Sequence, residues 1–142
     1  MGKLTGKKAI VTGASRGIGL AIATKLASEG ADVAILSTSV KEDLAAKLSA
    51  ELGVQVKSYA CNVADSETVQ NVFKQIIADM GTVDILVNNA GITRDGLLMR
   101  MKDEEFDAVI ATNLRSVFLC TRAVARTMMG KRIPGHFDEE QY

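Results

Sequence analysis

Apolar residues along the chain fall into two alternating rhythms. Lys8 to Thr12 (KAIVT), Asp32 to Leu36 (DVAIL) and Val83 to Val87 (VDILV) are brief, branched, nearly continuous apolar runs. Such runs are too short for helices and predict buried strands of a parallel sheet. Val54 to Ala60 alternates and predicts one more strand, third in chain order. Between them the spacing becomes helical. Ile18, Ala21, Ile22 and Leu26 predict a helix from Gly17 to about Glu29, stopped by Gly30. Leu44, Leu48 and Leu52 form a narrow stripe that halts at Gly53. Asp65 caps a helix carrying Val69, Val72, Phe73, Ile76, Ile77 and Met80, ended by Gly81. Asp103 is read as the cap of a last helix, with Phe106, Val109, Ile110, Asn113, Leu114, Val117 and Phe118 on one face. Strands alternating with helices predict an α/β fold: a doubly wound parallel sheet with helices on both faces.

After Lys131-Arg132 the rhythm stops. Residues 133–142 are polar, acidic and aperiodic and hold the only proline. The expected organisation is therefore one domain over 1–132 and an aberrant polar tail over 133–142. A formal net charge of zero gives no general case for nucleic-acid or anionic-membrane binding. The apolar runs are too short to span a bilayer, and strand pattern begins too soon to leave room for a signal or transit peptide. Cys61 and Cys120 lack metal-like spacing and read as buried, reduced thiols of a cytoplasmic protein.

The candidate chemistry lies after the first strand, at Thr12-Gly13-Ala14-Ser15-Arg16-Gly17-Ile18-Gly19. Glycines at a strand-to-helix turn permit a sharp bend, close backbone approach to a pyrophosphate, and tight helix packing. The helix N-terminus then presents amide hydrogens and the positive end of its dipole to phosphate. NAD sites usually carry an acid at the end of the second strand, roughly twenty residues beyond the turn, to bond the ribose 2′-hydroxyl. Here that place is Ser37-Thr38-Ser39, with no carboxylate to repel a 2′-phosphate, and Arg16 is within the turn to bind one. NADP(H) is the expected cofactor.

The glycine turn, together with Asn88-Asn89-Ala90-Gly91 and the later Asn113, resembles the short-chain dehydrogenase/reductase family. Asn88 to Glu105 (NNAGITRDGLLMRMKDEE) is similar to the 3-oxoacyl-(acyl carrier protein) reductases of type II fatty-acid synthesis. The resemblance covers Lys7 to about Arg132. It implies a Rossmann-like sheet, its surviving strands in the order 3-2-1-4, with the cofactor crevice where strands 1 and 4 diverge. By the same resemblance Gly13, Ser15, Arg16, Gly17, Ile18 and Gly19 serve the pyrophosphate and adenosine, and Thr38 joins Arg16 at the 2′-phosphate. Asn62 and Val63 flank the adenine, Asn89, Ala90 and Gly91 line the ribose floor, and Asn113 is the catalytic asparagine, holding a helix kink and a relay water. An acyl carrier protein thioester is the implied substrate, and a homotetramer the implied full-length assembly.

The family's serine and its Tyr-x-x-x-Lys pair, which position the carbonyl and donate the proton, have no counterparts here. Tyr142 is unlike the family tyrosine in its surroundings, and Ser116 follows Asn113 too closely to be the catalytic serine. This chain is thus expected to be a shortened, inactive form, marginal in stability and prone to associate through an apolar edge at Asp84 to Val87. A non-catalytic NADP-binding module, or another short-chain reductase such as an acetoacetyl-coenzyme A enzyme, is the alternative. Arg126, Lys131 and Arg132 place positive charge near the end of the last helix. That charge either complements the helix dipole or docks the acidic carrier protein.

Overall fold

The computed structural model describes residues 2–91 and 100–130. It contains β1 (Lys8–Thr12), α1 (Gly17–Ser28), β2 (Asp32–Ser37), α2 (Glu42–Leu52), β3 (Val56–Ala60), α3 (Ser66–Met80), β4 (Ile85–Val87) and α4 (Asp103–Met129). The strands form one parallel sheet in the order β3-β2-β1-β4. Strand side chains alternate between two cores, as the twofold period of a strand requires. Ala9, Val11, Val33 and Ile35 pack with Ala23 and Ala27 of α1 and Ala45 and Leu48 of α2. Ile10, Ala34, Leu36 and Tyr59 meet Val69, Phe73 and Ile76 of α3 and Leu119, Cys120 and Val124 of α4.

Local chemistry accounts for the element ends. Gly53 and Gly81 stop α2 and α3 in the left-handed conformation, at φ 68° and 83°. The Asp65 carboxylate accepts from Thr68 N at 3.0 Å and caps α3.

Four expectations need correction. β4 is only Ile85–Val87 and half-exposed, because among the described residues it is an edge strand paired with β1 alone; the full burial expected of this run falls on Val83. Asp103 does not cap α4: it is the helix's first residue, Lys102 holds the cap position, and no side-chain capping bond forms. The apolar face read from the sequence is also not the one α4 buries. Phe106, Ile110, Leu114, Val117 and Phe118 are exposed, while the smaller stripe of Ser116, Leu119, Cys120 and Val124 packs on the sheet. Apolar residues on two faces also give α4 the length and composition to cross a bilayer, which the interrupted runs did not suggest. The tail 133–142, with Lys131, Arg132 and most of the ITRDGLLMR stretch, lies outside the described residues.

Candidate cofactor-binding cleft

Each strand runs out at the same end of the sheet, and the residues that follow it line one cleft of about 990 Å³. Gly13, Ser15 and Arg16 come from the turn after β1, Gly17 and Ile18 from the start of α1, Ser37 and Thr38 from the end of β2, and Cys61, Asn62 and Val63 from beyond β3. Asn89, Ala90 and Gly91 follow β4, and Thr112 reaches in from α4. Of the residues singled out as cofactor-binding, all but Gly19 line this cleft.

Gly19 lies beneath it. A Cβ there would fall 2.0 Å from the Gly13 carbonyl oxygen and 2.5 Å from Asn89 Nδ2, so its bare backbone lets α1 pack against the turn. Gly13 and Gly17 adopt φ of 61° and 59°, a region that favours glycine. A Cβ on Gly17 would meet nothing within 4 Å, so the space above that peptide is open to a ligand. Arg16 occupies the N-cap of α1 in extended conformation and makes no side-chain capping bond, and the first turn of α1 carries no acid. The amides of that turn are thus presented to the cleft uncapped by any side chain, with the helix dipole behind them.

Thr12 welds the two halves of the floor together. Its Oγ1 accepts from Asn89 N at 3.0 Å and Ala90 N at 2.9 Å, while Asn89 Nδ2 donates to the Gly13 carbonyl at 3.1 Å. Asn88 Nδ2 donates to Thr121 Oγ1 at 3.2 Å and ties the end of β4 to α4. Asn113 abuts this floor: a Cβ on Gly91 would lie 2.9 Å from its Oδ1. Ser116 Oγ donates to the Asn113 carbonyl at 2.9 Å and is only 3% exposed, so that hydroxyl holds the helix rather than facing the cleft.

Both cysteines are free and buried. Burial, with the Asp65 charge nearby, pushes the Cys61 thiol up to about 11; burial, with Cys61 nearby, pushes Cys120 up to about 12. Neither thiol is a nucleophile at neutral pH.

Sequence reasoning missed Lys41 and Thr112, and placed Thr12 in the turn without giving it a role. Lys41 lines the cleft beside Thr38, its backbone N held by Ser58 Oγ at 2.7 Å. A lysine a few residues beyond the second strand, in a site already read as phosphate-binding, was the available signal. Thr12 gave none, since its partners lie 77 and 78 residues away.

Residues 7–136 match the family model for short chain dehydrogenases. The chain is 55% identical over 127 residues to the 3-oxoacyl-[acyl-carrier-protein] reductase FabG of Escherichia coli K12, covering 89% of this chain and 51% of that protein. The Staphylococcus aureus protein of the same name is 48% identical over 128 residues, 89% of this chain and 52% of its own length. The chain thus spans about half the length of the curated relatives it matches. Among solved structures, a short chain dehydrogenase from Burkholderia cenocepacia J2315 in complex with NADP superposes with a TM-score of 0.79 at 41% identity, over 89% of this chain and 52% of that one.

Proposed function

This chain belongs to the short chain dehydrogenase family, and from that premise we propose that it is the cofactor-holding part of an NADPH-dependent reductase. The proposed substrate is a 3-oxoacyl group carried as a thioester on acyl carrier protein, reduced to the 3-hydroxyacyl form in type II fatty-acid synthesis in the cytoplasm. The observation that carries the cofactor choice is the charge of the cleft: Arg16 and Lys41 line it, and among the described residues no carboxylate does. The carrier-linked substrate is supported by the likeness to the reductases named above.

In this reading the first-turn amides of α1 and the Gly13–Ser15 backbone meet the pyrophosphate, where the open space over Gly17 admits it. Arg16, Thr38 and Lys41 take the 2′-phosphate; charge-assisted bonds there are about twice as strong as neutral ones. Asn62 and Val63 flank the adenine, and Asn89, Ala90 and Gly91 form the floor under the ribose. Bound nicotinamide supplies the hydride, and Asn113, seated against Gly91, orients groups at that end. The 142 residues contain no Tyr-x-x-x-Lys, since the residue four beyond Tyr59 is Val63. By themselves they are proposed to hold cofactor without turnover. Docking of the acidic carrier at Lys131 and Arg132, beyond Arg126 in the last turn of α4, belongs to the same proposal.

The test is a pair of variants. Arg16→Ala raises the NADPH dissociation constant about tenfold or more, the size expected for losing a charged hydrogen bond, and leaves NADH binding unchanged. Thr38→Asp inverts the preference toward NADH. Equal losses for both cofactors in Arg16→Ala would reject the assignment of the 2′-phosphate.

A further inference from the structure

α4 sends one long side chain to the far end of the cleft. Arg115 Nε donates to the carbonyl oxygen of Ala64 at 3.0 Å. Ala64 lies in the short loop between β3 and α3, and that loop is internally bonded: Ala64 N donates to Asn62 Oδ1 at 3.1 Å, and Asp65 N donates to the Asn62 carbonyl at 3.0 Å. At one end the loop hangs from β2, through Cys61 N to the Ser37 carbonyl at 2.9 Å; at the other it runs into the Asp65 cap of α3. Arg115 is its third support, from another helix, and holds the carbonyl of the residue immediately after Val63. Its charge also faces Asp65, whose carboxyl is kept below its ordinary range first by the Thr68 hydroxyl and amide and further by Arg115.

We infer that Arg115 is a positioning residue for the adenine end of the cleft, clamping the Asn62–Asp65 loop to α4 so that Asn62 and Val63 are preset for the adenine ring. The inference rests on the NADP(H) reading above. A planar guanidinium suits this clamp, because one N–H is directed at a carbonyl while the charge spreads toward Asp65. A loop held before the ligand arrives need not be ordered by it, which is how preorganisation raises affinity. The clamp also ties the adenine loop to the helix that carries Asn113, two residues before Arg115.

Titration calorimetry with adenosine 2′,5′-bisphosphate, the adenosine half of NADPH, tests this in the 142-residue chain. Arg115→Ala weakens that fragment about three- to tenfold, the range expected for losing one hydrogen bond to a loop. NADPH weakens by the same factor, while the ligand-free protein still unfolds cooperatively, its unfolding temperature lowered by no more than the few degrees that one hydrogen bond is worth. Arg115→Lys keeps the charge near Asp65 but loses the directed Nε–H, and restores only part of the affinity. Undiminished fragment binding in Arg115→Ala would overturn the inference, as would a loss seen with NADPH and not with the fragment. If wild-type protein bound the fragment no better than adenosine, the NADP(H) reading would fall first and this inference with it.

Discussion

At Gly19 one hydrogen atom separates a packed turn from a blocked one. A methyl group there would have to displace the Gly13 carbonyl, 2.0 Å away, and the Asn89 amide nitrogen that bonds the same carbonyl. The carbonyl is backbone and cannot swing away, and the Asn89 amide, though the end of a side chain, is held by its bond to that carbonyl. Gly19→Ala is therefore predicted to destabilise the fold by about 1–3 kcal/mol, the usual penalty for overpacking, and to lose NADPH binding because the floor moves with the turn. Urea unfolding with and without NADPH checks both; unchanged stability would show that α1 can shift away freely. The role of such glycines is legible in the sequence, because only a few physical needs explain three of them between a strand and a helix. Thr12 is the opposite case. It reads as the last residue of an apolar strand, is 2% exposed, and yet accepts two backbone N–H groups from the end of β4. Nothing local to Thr12 announces a partner so distant in the chain.

Elements show the same division between local and distant information. α3 was readable to its ends: Asp65 and Gly81 mark them, and Val69, Phe73 and Ile76 are the residues it buries. α4 was readable as a helix but not in its orientation. It carries one stripe of large apolar side chains and another of smaller ones, and spacing alone favours the large set. The structure buries the small set, whose Ser116 and Cys120 let the helix lie close to the sheet. Phe106, Ile110, Leu114, Val117 and Phe118 are left exposed, with Arg122 stacked 4.8 Å from the Phe118 ring. Exposed apolar surface of this kind drives association. The 142-residue chain is predicted to self-associate, and Leu114→Glu with Phe118→Glu to shift it toward monomer while sparing NADPH affinity. Sedimentation velocity at several concentrations decides. A wild-type chain monomeric throughout would contradict the prediction.

At the scale of the molecule, alternating strands and helices were enough to set the sheet, and the resemblance supplied its order, β3-β2-β1-β4. A parallel sheet whose order reverses beside its first strand opens a crevice at the carboxyl ends of the strands. The cleft lies there, and the expected binding residues other than Gly19 line it although they are scattered from Gly13 to Gly91 along the chain. Net charge was no guide: a chain formally neutral overall places two cations and no carboxylate, among the described residues, in this one cleft. That local imbalance is what would select the cofactor carrying the extra phosphate. Its most direct test is calorimetric titration of the 142-residue chain with NADPH and with NADH in the same buffer. NADPH is predicted to bind at least about tenfold more tightly, the advantage of one good charged contact at the 2′-phosphate. Equal affinity for the two, or tighter binding of NADH, would contradict it.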